Sequence, residues 1–431
     1  MDEKVTEVLL ADQTFFETLN GLWKGKKPPF TSASVIRNTN FTSAGHVDYS
    51  DVAVLEVEQK QIAKRKLQRG DIIIERSGGG PKQPVGRVVY FDRDDGTFSF
   101  SNFTSTVRVR DRESFEPKFV FYRLLELYRS GGTEDIQRFT TGIRNLDFAA
   151  YKERAAIALL PRLEQRAIVH LLELVRSAIG VQERLLTVAS DLKRTLLDTC
   201  FTIGLRGEEL AESDVGAVPR SWKVSQIGAI ARLTSGGTPS RTKPEYWVGG
   251  EIPWVKTAEV DNCVITEVGE RITETGLKNS SAKLFPPGTL LMAMYGQGVT
   301  RGKVALLGME ATTNQACVAF FPSPEVSAEY LYYLFQARYK EIREYGHGAN
   351  QKNLSAEIIK GISIAFPTDT GEQAEAVQVL QQVDERIRIA CGAREVLEGL
   401  FHTVLHATMT GALRIPEPAW HELEVAAKAA S

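Results

Sequence analysis

Two stretches of the chain place apolar residues at helical spacing. Ile168, Leu172, Val175, Ile179, Leu186, Ala189 and Leu196 recur at alternating intervals of three and four, interrupted at Gln182 and Lys193. Ala376, Leu380, Val383, Ile387, Ala390, Leu397 and Val404 repeat the pattern, with Arg394 interrupting. Pro161 and Pro367 stand before the two runs, and Gly204 and Gly411 stand where helices stop. Thr370 followed by Gln373 reads as a capping box. The spacing therefore predicts two helices of about 40 residues, each roughly 60 Å long.

The segments before these helices read differently. Short apolar runs such as Asp71–Ile74, Arg87–Tyr90 and Thr289–Met294, set among turn residues, predict strands. The two halves are also related to each other. A shift of 208 residues lays Glu164–Arg206 on Glu372–Arg414 with 13 of 43 positions identical, where chance gives roughly two or three. Shared helical periodicity accounts for some of the apolar identities, but not for the common Glu-Gln start or the Thr-x-x-Leu-Arg end. Upstream, GDIIIERSGGG from Gly70 parallels GTLLMAMYGQG from Gly288, and Gly142 to Leu146 parallels Gly348 to Leu354. The expected fold is α+β, a pseudo-twofold internal repeat. Its parts are a domain at 1–160, a helix at 161–206, a second domain at 207–367, a second helix at 368–414 and a tail at 415–431. The matched seams favour packing of the helices on each other; the alternative is that each packs only on its own domain.

Composition narrows the class. With 43% hydrophobic and 25% charged residues over 431 positions, the chain reads as globular and soluble. No apolar run is long enough for a bilayer, so no membrane is expected. The acidic opening MDEKVTEVLL is unlike a signal peptide, and a cytoplasmic location is expected. Cys200, Cys263, Cys317 and Cys391 form no metal or disulfide spacing. The net charge of −2 is uneven: Gln61 to Asp94 holds eight Lys/Arg against four Asp/Glu. That pattern fits a protein positioning DNA within an assembly, and many enzymes equally.

Catalytic motifs fail on inspection. Lys27-Pro-Pro-Phe30 lacks the amide or carboxylate oxygen that an amino-group methyltransferase needs ahead of its prolines. Gly298 to Lys303 approaches a phosphate loop, but Gln297 and Val304 occupy two of its required positions. His402 and His406 lie four apart with Thr403 where a zinc protease needs glutamate. No nucleophile elbow or spaced acid–base pair is evident, and no catalytic or metal-binding residue is assigned.

The repeat carries specific words. LTSGGTPSRTKPEYW from Leu233, GEIPWVKT from Gly250, LKNSSAKLFPPG from Leu277, Thr313-Asn-Gln315 and Gln351-Lys-Asn-Leu354 resemble a target-recognition domain. PRLEQRAI from Pro161 is similar to the start of a spacer helix. The family is the specificity subunits of type I restriction-modification systems. The resemblance spans the chain; it is strong in the second half and weaker in the first, where LWKGKKPPF from Leu22 replaces the Gly-Gly-Thr-Pro word. It implies two target-recognition domains on two antiparallel helices that pack as a coiled coil, each domain reading one half of a split, asymmetric site in double-stranded DNA. It further implies two modification (methyltransferase) subunits that use S-adenosylmethionine, with no cofactor bound by this chain, and restriction (translocase and endonuclease) subunits as additional partners.

Asn and Gln can pair with adenine, and Arg or Lys with guanine, so loop amides and cations are the candidate readers. In the first domain these are Lys24, Lys26, Lys27, Arg37, Asn38, Asn40, Arg76, Ser77, Gln83 and Arg144. In the second they are Thr238, Ser240, Arg241, Lys256, Thr257, Tyr295, Gln297, Arg301, Gln351 and Lys352. Any one of them reads equally as a solvated loop residue or a phosphate contact. Gly78-Gly-Gly80 and Gly236-Gly237 read as turns, or as backbone that approaches DNA closely; Asn314 and Asn353 could tie down their own loops. Two other classes stay open: a nuclease with its site in the divergent first half, and a scaffold that joins proteins through its helices.

Overall fold

The computed structural model describes residues 5–430 apart from 24, 26, 80–82, 141–142, 297 and 346–352. Four helices carry the architecture: α1 Pro117–Arg129, α2 Arg162–Thr202, α3 Ala328–Ala337 and α4 Thr370–Met409. The chain forms two compact units, 1–181 with 393–431 and 182–392, so each unit contains one half of each long helix.

In the first unit the strands β1 Phe16–Asn20, β2 Ile72–Glu75, β3 Val88–Tyr90 and β4 Thr104–Val109 form an antiparallel sheet in the order β1-β4-β2-β3. Ile72, Ile73 and Ile74 are all fully buried, which is why this strand reads as an unbroken apolar run. A second sheet pairs 30–36 antiparallel with 53–58 and parallel with 98–100, and 7–9 pairs with 156–158.

The second unit has β5 Ala231–Ser235, β6 Cys263–Ile265, β7 Leu290–Ala293, β8 Val304–Leu307 and β9 Cys317–Pro322 in the order β5-β9-β7-β8-β6. Its smaller sheet pairs 252–255 antiparallel with 271–272 and parallel with 312–313, and 222–226 pairs with 363–367. In these sheets the strand order repeats that of the first unit, with β6 added at one edge. The repeat therefore runs through both domains, including regions where the sequences share almost nothing.

The long helices pack against each other, antiparallel. In the first unit Ile168, Leu172 and Val175 of α2 share a core with Phe401, Leu405 and Met409 of α4. In the second unit Cys200 and Phe201 of α2 share a core with Ala376, Val377 and Leu380 of α4. The same cores include Phe119 and Tyr122 in one unit and Tyr330 and Leu331 in the other. Each helix thus packs on its own domain as well as on its partner helix.

The identical Glu-Gln pairs are buried at the helix starts. Gln165 donates to the carbonyls of Ser114 and Leu160 and accepts from the Glu116 amide at the head of α1. Gln373 donates to those of Glu325 and Pro367 and accepts from the Ser327 amide at the head of α3. One glutamine therefore satisfies three backbone groups and fixes the long helix to the domain before it. This overrides the capping-box reading of Thr370 and Gln373: Asp369 caps the helix instead, accepting from the Gly371 amide.

Both helices end short of the expected bounds, because Gly204 and Gly411 take φ of 71° and 77°, a conformation that stops a helix. The residues expected to form a tail contain a helix, Glu417–Ala430, with Trp420 and Leu423 on the first unit's core. Among the described residues no helix is long and apolar enough to cross a membrane, and no cluster of three metal-ligating side chains occurs.

Candidate nucleic-acid interface

In the second domain the strand β5 ends in Gly236-Gly237. A Cβ on Gly236 would stand 2.2 Å from the Thr313 carbonyl oxygen, and one on Gly237 would stand 2.4 Å from Ser281. These glycines therefore let the strand end lie flat on its own domain. The loop that follows lies among several polar side-chain pairs. Thr238 donates to Gln315, and Thr257 donates to Asn314, which also accepts from the Ala316 amide. Arg241 donates to Glu270 at 2.5 Å and lies 3.6 Å from the centre of the Trp247 ring. Lys256 reaches the other oxygen of Glu270 at 3.0 Å. These two cations hold the Glu270 carboxyl below its ordinary range by hydrogen bonding. Ser240 pairs with Thr242, and its carbonyl accepts from the Trp247 indole.

The fold thus ties Thr238 and Thr257, the outermost of the candidates Thr238, Ser240, Arg241, Lys256 and Thr257, to Gln315 and Asn314, up to 77 residues away in sequence. Tyr295 is exposed nearby in sequence to the buried strand β7. Arg301 is buried at 7% exposure and donates to the Arg343 carbonyl, so it supports its loop from inside. Gln297, Gln351 and Lys352 lie outside the described residues.

The first domain builds its edge around the end of β2. Arg76 donates to Asn20 at 2.7 Å and lies over the Phe148 ring, and burial lowers its pKa. Ser77 donates to Asn145, and Asn38 donates to the Ser77 carbonyl and to Glu75. Glu75 is buried and held by Arg87 through bonds of 2.8 and 2.9 Å; Gln83, with its amide turned to satisfy both groups, accepts from the same guanidinium. Gly78 has φ of 116°, and a Cβ there would stand 2.4 Å from the Asn38 amide nitrogen. Arg144 donates to Gln137, and Arg37 to the Asp51 carbonyl. Asn40 is 3% exposed, with its amide spent on Asp48, Asp51 and Arg37, so it shapes the loop rather than facing solvent. Lys27 is exposed; Lys24 and Lys26 lie outside the described residues.

Two features escape a search for amides and cations. Gly21 is the counterpart of Gly236: a Cβ there would stand 1.7 Å from the Ser101 carbonyl oxygen, which matches Thr313 in the other domain. Exposed aromatics also gather along this edge: Trp23 at 70%, Phe103 at 45% and Phe139 at 63%. Their signal in the sequence is the interleaving of aromatics with basic residues from Leu22 to Phe30 and from Arg138 to Arg144.

Residues 219–398 match the family model described as type I restriction modification DNA specificity domain. The second domain is thus similar to the DNA specificity domain of type I specificity subunits. The specificity subunit of the type I restriction enzyme MjaIX of Methanocaldococcus jannaschii is 33% identical over 204 residues, which is 46% of this chain and 46% of that one. The EcoR124I/EcoR124II specificity subunit of Escherichia coli is 27% identical over 165 residues, 38% of this chain and 40% of its own length. The chain thus aligns with about half the length of these two relatives. The S subunit of a type I restriction-modification system from M. genitalium shares the fold, with a TM-score of 0.59 at 15% identity over 94% of this chain and 96% of that one. The family match starts in the strand Gly216–Pro219 and ends within α4, so it covers the second domain; the first is tied to it by repeating its strand order.

Proposed function

We propose that this chain is the non-catalytic DNA-reading subunit of a type I restriction-modification complex. Each domain would read one half of a bipartite, asymmetric site, and the paired long helices would set the number of unread base pairs between the halves. The observation that carries this reading is the duplication itself. Two domains share one strand order, yet their exposed edges differ: Trp23 and Phe139 in one, Thr238 and the Arg241–Glu270–Lys256 group in the other. A common scaffold with divergent edges suits two different half-sites.

The long helices support a second part of the reading. Val188 and Val396 are identical repeat positions, as are Leu192 and Leu400, yet they are exposed at 65%, 72%, 47% and 46%. Retention of bulky apolar residues at equivalent exposed positions fits two equivalent docking surfaces for two copies of a modification subunit. Those subunits would hold S-adenosylmethionine and methylate adenine, and restriction subunits would join the same cytoplasmic assembly.

Binding of the chain with its cognate modification subunits to short duplexes tests the reading. It predicts one duplex sequence bound at least about a thousandfold more tightly than the rest at physiological salt. Equal binding to all sequences would leave a scaffold role instead.

A further inference from the structure

The first domain carries a ribbon that the second lacks among the described residues. Gln137–Thr140 and Ile143–Leu146 pair antiparallel, and the second strand pairs in turn with Ser77–Gly79. The base of this ribbon is pinned. Leu146 is buried at 5% and its amide donates to the Arg76 carbonyl; the Gln137 amide bonds the Val85 backbone from both ends.

Each face of its described strands carries one exposed apolar side chain. The register sets Phe139 opposite Arg144 and Thr140 opposite Ile143. Alternation along a strand puts Phe139 on one face and Ile143 on the other. They are 63% and 42% exposed. Water against both faces penalises such a pair, whereas a groove that admits the whole ribbon covers both. The charge favours DNA: Gln137 to Asp147 carries two arginines against one carboxylate, Asp147, which pairs with Arg138 at 2.7 Å, so the ribbon stays net positive in a chain of net charge −2. The major groove of B-DNA, about 12 Å wide, admits a two-stranded ribbon, and its one apolar feature is the thymine methyl.

We infer that this ribbon enters the major groove, and that Phe139 sets specificity by contacting a thymine methyl in the half-site of the first domain. Ile143 lines the opposite wall of the groove. This rests on the DNA-reading function proposed above and assigns a specific residue within it.

The test uses the chain with its cognate modification subunits and duplexes carrying the methylated motif. Each thymine of the half-site is replaced in turn by deoxyuridine, which removes only the 5-methyl group. One replacement should weaken wild-type binding about fourfold, the worth of one buried methyl. Phe139→Ala should bind the unmodified duplex with the same loss and be indifferent to that replacement. Phe139→Ala binding like the wild type, or both proteins responding equally to every deoxyuridine, overturns the inference while the DNA-reading function stands. A variant that loses its modification subunits but not its thymine dependence overturns it too, pointing to a protein contact. If the wild type itself prefers no duplex, the underlying reading fails with it.

Discussion

Arg414 grips Glu164 through two parallel hydrogen bonds of 2.6 Å, and the glutamate side chain is only 1% exposed. The repeat gives this pair a counterpart with different geometry. Arg206 bonds Glu375 at 2.8 and 3.0 Å, both side chains exposed, while buried Glu372 accepts from the Leu205 amide. One copy of the motif therefore closes on a buried carboxylate and the other on a surface one. Removing the arginine strands a buried charge in the first case only. Arg414→Ala should cost about 3 kcal/mol, and Arg206→Ala no more than about 1 kcal/mol. Calorimetric melting of the two variants checks this; equal losses would mean that Glu164 finds water once its partner is gone.

Glu270 holds two cations of the second domain's edge, Arg241 and Lys256. Glu270→Gln removes the charge that occupies them. Non-specific DNA binding should tighten, and its dependence on log salt should steepen by up to about 1.8, or 0.9 for each phosphate newly neutralised. Titrations at several salt concentrations measure the slope. An unchanged slope would show that neither cation reaches a phosphate.

Val188 and Val396 offer a test of docking without disturbing the cores, since both are exposed. Val188→Asp or Val396→Asp alone should leave one modification subunit bound, and the double variant none. Each should alter stability by less than about 0.5 kcal/mol. Sedimentation of the purified assembly reads the stoichiometry. Two subunits retained in the double variant would remove the helices from the docking surface.

The long helices were legible because burial imposes a period on them: Ile168, Leu172 and Val175 face a core wherever the helix turns inward. The Glu-Gln and Leu-Arg identities were visible as words but not as a mechanism. Gln165 acts on the backbone of Ser114 and Glu116, some fifty residues away, and Arg414 meets Glu164 only because Gly411 turns the chain back. The shared strand order of the domains was mostly hidden, since strand pairing depends on register across long separations that side-chain identity does not record. At the candidate edge, polar residue type did not separate readers from supports. Asn38, Asn40 and Arg301 carry the hydrogen-bonding groups a reader needs, and the fold spends those groups internally. The exposed aromatics Trp23, Phe103 and Phe139 carry neither an amide nor a charge, so those residue types do not point to them.

The central claim is that two domains on one scaffold read two separate half-sites. Mapping methylated adenines across DNA from cells carrying this chain with its cognate modification subunits tests it most directly. The account predicts a single motif of two short, unlike specified blocks separated by a fixed number of unspecified base pairs, absent when the chain is deleted. A continuous motif, or methylation that persists without the chain, would contradict it.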